Sequence, residues 1–162
     1  MNTQKWSFAF MLVGLMAFTY PLLPLSTAST PKPYRVVFHV NSGNPKVQAG
    51  ALRNARNFLR KVGAKHADLR ILLHSGGVKM VLLPKAAKRT RFKTGLATGK
   101  QKDMITFLRK QGVRFLVCNN TMKSKHITRE KDLFNVPKKD VVPSGVVALV
   151  ELQRQGFAYV KP

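Results

Sequence analysis

VRFLVCNNTM, at Val113–Met122, gives the clearest indication of how this chain folds. An apolar run ends at Cys118, the only cysteine among the 162 residues, and two turn-forming asparagines, Asn119 and Asn120, follow it directly. The pattern predicts a strand that delivers its last residue to the edge of a sheet, which is where open α/β folds bind their ligands. One sulfur atom is therefore expected where a functional site would form.

Similar apolar segments recur along the chain and alternate with segments of helical periodicity. Strands are predicted at 34–40, 67–74, 113–118, 140–143 and 157–160, and helices at 45–62, between 103 and 112, at 127–134 and at 145–155. Three of the helices end at a glycine, at Gly63, Gly112 and Gly156, and each passes into a strand after a short link. Such connections are right-handed crossovers, so the sequence predicts an α/β fold with a mainly parallel sheet and helices on both faces.

Individual helix positions carry specific signals. Asn44 is a suitable N-cap and Pro45 a suitable first residue for the first helix. Asp103 is expected to cap the second helix and Ser144 the last one. The apolar face of the first helix is predicted from residues at helical spacing, which are Val47, Ala51, Ala55, Phe58 and Val62.

The N-terminus follows the pattern of a secretory signal peptide. Lys5 supplies the positive charge, Phe8–Phe18 supplies the apolar core, and small residues end at a cleavage point after Ala28. An uncleaved membrane anchor is the alternative, but the short apolar run and the prolines after it favour cleavage. The predicted organisation is a signal peptide at 1–28, a linker at 29–33 and one domain at 34–162, located in the periplasm or secreted.

The charge balance is strongly basic, with 29 Lys and Arg against 6 Asp and Glu and a formal net charge of +23. Such a field attracts polyanions, although a basic solvated surface without a specific partner gives the same composition. The densest basic segment, 85–102, has seven Lys or Arg and no acid, and is predicted to be partly loop. The few acidic residues exclude a hydrolase that works through paired carboxylates.

The carboxyl ends of parallel strands meet along one edge, and this edge collects His39, His74 and Cys118. Helix N-termini that face the same edge direct N–H groups toward it, and these stabilise an anion such as the thiolate, which is the nucleophilic form of cysteine. Polar residues in the adjoining loops are candidates for binding a ligand; they are Asn41, Asn119, Asn120 and Ser144.

Each of these residues also has a purely structural interpretation. Cys118 suits a small buried hydrophobic position, while the histidines suit structural hydrogen bonds and the asparagines suit turns. Because a single cysteine cannot pair within its own chain, Cys118 is an inert buried thiol, a reactive thiol or a partner in an intermolecular disulfide. A Cys/His/His metal site would need ligands from three distant segments without a spacing motif, so no metal and no cofactor is predicted.

The order of elements, the strand end VRFLVCNNTM and the C-terminal run VVPSGVVALVELQRQGFAYVKP resemble the DsrE/DsrF-like family from about Tyr34 to Pro162. This resemblance implies a three-layer α/β/α fold with a mainly parallel five-stranded sheet, and assembly as a homo-oligomer, a trimer or a hexamer. It also implies a sulfur relay with a persulfide on Cys118, which would be a sulfurtransferase-like activity.

Three functions remain open. The first is an exported sulfur-relay protein or persulfide carrier that acts through Cys118 and exchanges sulfur with a thiol-bearing protein partner. The second is a non-catalytic oligomeric module that binds a small ligand at the same edge, with Cys118 only packing. The third is a basic protein that binds an anionic surface; nucleic acid is disfavoured because stacking aromatics are sparse and the chain is expected to be exported.

Overall fold

The computed structural model describes residues 32–162, so the predicted signal peptide at 1–28 lies outside the described residues. The described part alternates five strands with five helices, connected by loops and short 3-10 turns. The strands are β1 (Tyr34–Val40), β2 (Ala67–Leu73), β3 (Arg114–Cys118), β4 (Val141–Val142) and β5 (Ala158–Val160). The helices are α1 (Pro45–Val62), α2 (Gly99–Lys110), α3 (Asn119–Ser124), α4 (Arg129–Asp132) and α5 (Gly145–Arg154).

The five strands form one sheet in the order β4-β3-β2-β1-β5, and every neighbouring pair is parallel. The predicted α/β fold with a parallel five-stranded sheet is therefore confirmed. Because all strands run the same way, their carboxyl ends share one edge of the sheet. The last strand lies beside the first one, with Tyr159 in register with Val37.

Apolar side chains are buried on both faces of the sheet, which is why the strands read as nearly continuous apolar runs. On one face, Phe38 and Ile71 pack in the larger cluster, together with the inner sides of α1 and α2. On the other face, Val37 and Leu72 pack with Leu152 of α5 in a smaller cluster. Burying each large aliphatic side chain stabilises the fold by about 1.5–3 kcal/mol, so the sheet is held from both sides.

The first helix begins and ends where the sequence predicts. The side chain of Asn44 accepts a hydrogen bond from the Lys46 N–H at 2.8 Å, Pro45 is the first helical residue, and Gly63 follows the helix with a positive φ of 83°. The predicted apolar face is shifted, because the buried residues are Gln48, Ala51, Leu52, Ala55 and Leu59. Gln48 is tolerated in the core because its amide donates to backbone carbonyls of two loops, at 2.8 and 3.1 Å.

Three local predictions are wrong. The second helix begins at Gly99 and not after Asp103, which lies exposed in the middle of α2. Asn119 and Asn120 form the first turn of α3 and not an irregular turn. The predicted helix at 127–134 is shorter, since Phe134 leaves it to donate its N–H to the Val81 carbonyl at 2.7 Å.

Two buried acids are matched by arginines. Asp140 precedes β4 and binds Arg109 at 3.0 Å and Arg114, the first residue of β3, at 2.8 Å. Asp132 binds Arg89 and accepts the Thr128 N–H at 2.8 Å. These pairs tie loops to the amino ends of strands and to the ends of helices.

Within residues 32–162 no helix has the length and apolar character needed to cross a bilayer.

Candidate functional site

Cys118 is the last residue of β3 and is 5% exposed. The neighbouring strand β4 pairs Val142 with Cys118, and the chain then turns through Pro143 and Ser144 into α5. This path brings the first amide of α5 onto the sulfur, and the Gly145 N–H donates to the Cys118 Sγ at 3.1 Å. An N–H group at a helix N-terminus favours negative charge on the atom that it faces.

Gly145 allows this close approach because it lacks a side chain. A Cβ atom on Gly145 would lie 2.9 Å from the His74 Cβ and 3.2 Å from the Cys118 Cβ, both closer than ordinary contacts. His74 and Cys118 therefore both pack against the first turn of α5. The sequence predicts the helix start at Ser144, whose side chain accepts from the Val147 N–H at 3.5 Å, but not this packing.

Cys118 faces an open hollow of about 200 Å³ and is not sealed in by aliphatic side chains alone. The lining is about half polar and half apolar, with hydroxyl, amide and imidazole groups beside one valine. The lining residues are His74, Ser75, Cys118, Asn120, Thr121, Ser144, Gly145 and Val146. A small reactant has room beside the sulfur, next to the N-terminus of α5.

A chain of hydrogen-bonding side chains extends from this hollow along the edge of the sheet. The His39 Nε2 lies 3.2 Å from the His74 Nδ1, and the His39 Nδ1 lies 3.2 Å from the Tyr159 hydroxyl. Two tautomeric arrangements satisfy both hydrogen bonds. In the first, the Tyr159 hydroxyl donates to the His39 Nδ1, and the His39 Nε2 donates to the His74 Nδ1. In the second, the His74 Nδ1 donates to the His39 Nε2, and the His39 Nδ1 donates to the Tyr159 hydroxyl. Such a chain can pass a proton between the exposed Tyr159 and the hollow.

The surroundings of His39 and His74 favour the neutral form of both imidazoles. Burial lowers the pKa of His39, and the nearby His74 and Lys161 lower the pKa of His39 further by charge repulsion. Burial also lowers the pKa of His74 below its usual value. The lowered pKa values favour the neutral form of both rings at neutral pH, in which each ring has one nitrogen that accepts a proton.

The structure brings together most of the residues predicted for the site. His74, Asn120 and Ser144 line the hollow with Cys118, and His39 reaches it through His74. Besides His39, two predicted residues do not line the hollow. Asn41 lies in the loop after β1, where its carbonyl packs near Gly76, and Asn119 lies half-buried in the first turn of α3.

Sequence reasoning missed Thr121 and Tyr159. The Thr121 hydroxyl accepts the Ser75 N–H at 2.9 Å and so holds the loop after β2 against α3. Tyr159 reaches His39 because β5 lies next to β1, a pairing between the two ends of the domain. The alternating pattern of the last strand was the only available signal for Tyr159.

A metal site and a second hollow were the alternatives to a site at Cys118, and both offer fewer reactive groups. Among residues 32–162 no group of three or more His, Cys, Asp or Glu side chains is arranged to hold a metal ion. A larger hollow of about 440 Å³ lies at the opposite edge of the sheet and contains neither cysteine nor histidine. Its lining residues are Lys32, Pro33, Arg35, Gln155 and Gly156.

Comparison with known proteins agrees with this architecture. The model of the DsrE/DsrF-like family matches residues 35–162. One similar solved structure is a protein of unknown function, MTH1491 from Methanobacterium thermoautotrophicum, with a TM-score of 0.62 and 28% sequence identity. The match covers 80% of this chain and 99% of that protein. No curated protein matches the chain.

Proposed function

The chain belongs to the DsrE/DsrF-like family, and from that premise we propose that it carries sulfane sulfur as a persulfide on Cys118. The observation that supports this role most directly is the Gly145 N–H, which donates to the Cys118 Sγ at 3.1 Å beside an open hollow. An inert packing cysteine needs neither an amide donor nor space beside the sulfur.

The proposed transfer has two steps that exchange sulfur without net oxidation. The Cys118 thiolate attacks the outer sulfur of a donor persulfide, R–S–SH; the new S–S bond forms as the donor S–S bond breaks, and R–S⁻ leaves with the electron pair. A thiolate on a partner protein then attacks the outer sulfur of the Cys118 persulfide. That sulfur passes to the partner, and Cys118 leaves as the thiolate.

The surrounding groups have distinct proposed roles. The N-terminus of α5 stabilises negative charge on the carrier sulfur, both as thiolate and as persulfide. The neutral His74, supported by His39 and Tyr159, accepts the proton of an incoming thiol or persulfide and returns it to solvent. Asn120 and Ser144 line the hollow and are proposed to orient the donor.

The first test is to incubate the protein with a polysulfide and weigh it intact. Because Cys118 is the one cysteine of the chain, a mass increase of one sulfur atom can be assigned to a persulfide on Cys118. We expect this adduct in the native sequence and its absence in Cys118→Ser, with transfer of the sulfur to an added thiol. The native protein failing to form the adduct after full reduction would refute the carrier role.

A second measurement separates sulfur transfer from simple ligand binding. If the hollow only binds a small anion, sulfite or thiosulfate will protect Cys118 from alkylation, but a polysulfide will leave no adduct. That result would favour the non-catalytic binding module, in which Cys118 only packs. Protection together with a transferable sulfur supports the carrier.

Export is a further part of the proposal. The pattern at 1–28 is that of a signal peptide, and its removal would place the carrier in the periplasm or outside the cell. Mass measurement of the protein recovered from an exporting host tests this directly, and we expect a chain that begins after Ala28. Recovery of the uncleaved chain from the membrane fraction would instead support an anchor.

Self-association is the last part of the proposal. The outer side of α5 exposes Val146, Val147 and Val150, an apolar surface that is unusual on a charged monomer. The proposed homo-oligomer, a trimer or a hexamer, would cover this surface. Light scattering coupled to size exclusion tests it, with Val150→Asp expected to give a monomer and Val150→Thr to retain the assembly. A monomeric native protein would contradict it.

A further inference from the structure

We propose that the paired outer faces of α1 and α2 form a docking surface for an anionic phospholipid bilayer. The two helices carry nine basic residues and one acidic residue between them, and eight basic residues remain when Arg109, which pairs with buried Asp140, is left out. α1 contains no acidic residue, and none of its arginines makes an ion pair within residues 32–162. This surface does not depend on Cys118 or its hollow.

The arginines of α1 lie close enough to repel one another when no ligand is bound. Arg53, Arg56 and Arg60 recur at spacings of three and four residues, so they lie on the same side of the helix and repel one another. All three are exposed. A ligand of opposite charge removes this repulsion, whereas water and salt only screen it.

The arginines border an apolar groove between the two helices. One hollow of about 420 Å³ lies between Arg56, Arg60 and the side chain of Phe107, which is 45% exposed. A second hollow, of about 320 Å³, continues past Arg53 and has Leu52 and Met104 in its lining. Arg56 lines both hollows, so they lie next to each other along α1, over about 16 Å from Ala49 to Arg60 given the rise of an α-helix.

This combination favours a bilayer over a nucleic acid. Phosphate groups of either partner satisfy the arginines, but only a lipid also supplies alkyl chains for the groove and an apolar environment for Phe107. A single-stranded nucleic acid would use several aromatics for base stacking, and this face exposes one; a duplex would satisfy the arginines but would leave Phe107 without an apolar partner. The basic segment 85–102, which the sequence indicates as the polyanion contact, supplies only Lys100 and Gln101 to the groove.

The test uses the chain from residue 29 onward, which retains all five strands and all five helices. Its binding is measured by co-sedimentation with mixed phosphatidylglycerol and phosphatidylcholine vesicles, and with phosphatidylcholine vesicles as the uncharged probe. We expect binding to the anionic vesicles that weakens steeply with salt, and none to the uncharged ones.

Matched variants separate this surface from the general charge of the protein. R53Q/R56Q/R60Q is expected to lower vesicle affinity on the order of a hundredfold, since each basic side chain near an anionic membrane contributes about fivefold. K85Q/K88Q/K93Q removes the same charge from exposed lysines elsewhere and is expected to have a much smaller effect. Phe107→Ala is expected to weaken vesicle binding without changing net charge, whereas Tyr34→Ala, at another exposed aromatic, is not.

Three results would overturn the proposal. They are the absence of binding to anionic vesicles, an equal loss in the two triple variants, and a loss of duplex DNA binding in R53Q/R56Q/R60Q while vesicle binding is unchanged. Circular dichroism of each variant confirms that the fold is retained, as expected for substitutions at exposed positions.

Discussion

The two edges of the sheet differ in how completely their polar groups are paired. At the amino edge, Asp140 is buried and fully matched by Arg109 and Arg114, so its charge is committed to holding the fold. At the carboxyl edge, Cys118 and His74 make single hydrogen bonds and face an open hollow. Groups with all their bonding capacity used stabilise structure, whereas groups with capacity to spare beside empty space are available for chemistry.

The largest effect on stability is expected at the amino edge. Asp140→Asn removes the charge that pairs with Arg109, whose Nε and Nη2 atoms are buried without another partner. Leaving a buried charge unpaired costs about 3–5 kcal/mol, to be measured by urea unfolding. Asp103→Asn, at an exposed position of α2, serves as control and should change stability by less than about 0.5 kcal/mol. Equal effects would show that the Asp140 ion pairs do not stabilise the fold.

An intermediate effect is expected at the contact between α5 and Cys118. Gly145→Ala places a methyl group 2.9 Å from the His74 Cβ, and overpacking of this kind costs about 1–3 kcal/mol. Because α5 must move away from the sulfur, the rate of Cys118 alkylation should change as well. Gly99→Ala is the matched control, since a Cβ there meets no atom within 4 Å. Unchanged unfolding and alkylation in Gly145→Ala would show that the contact is loose.

The smallest effect is the pH dependence contributed by the two histidines. Above about pH 7.5 both rings are neutral in the folded and the unfolded chain, so the pair adds no pH dependence there. Below that pH the unfolded chain binds protons first, because burial lowers the pKa of His39 and of His74 in the folded chain. Stability is therefore lost as the pH falls from about 7.5, through the unfolded pKa, to the lowered pKa values of the folded state.

The titration midpoints of His39 and His74 can be measured directly by NMR. His74→Gln removes a repelling charge, so the His39 midpoint should rise toward its usual value. Tyr159→Phe keeps the His74 charge and should shift that midpoint less. The double variant His39→Gln/His74→Gln should lose less stability than the native protein between roughly pH 7.5 and pH 5. A midpoint for His39 above 6.5 in the native protein would contradict the assignment of a neutral pair.

Local signals predicted the fold well where the chain itself determines the conformation. Asn44, Pro45 and Gly63 mark the ends of α1 because capping and positive φ depend on nearby residues only. The same logic misplaced the start of α2 at Asp103, since several residues there are equally able to begin a helix. The backbone carbonyl of Thr98 accepts the first helical bond, from Lys102 at 2.8 Å, without a side-chain cap.

Contacts between distant segments set the limits of prediction. Gln48 is buried because carbonyls of two separate loops accept its amide hydrogens, and periodicity alone treats glutamine as an exposed residue. His39, His74 and Cys118 were predicted to share an edge because parallel strands require it. Tyr159 was not, because strand order is a tertiary property that no local pattern encodes.

The buried position of Cys118 hinders the formation of a disulfide between two copies of the protein. In a disulfide the two Cβ atoms lie about 3.8 Å apart, but the Cys118 Cβ is already packed against the first turn of α5. We expect two folded copies of the protein to be hindered from bringing their recessed sulfurs within bonding distance. Covalent dimers should therefore stay rare even in aerated solution, and only small molecules or a cysteine on a slender, mobile tail should gain access.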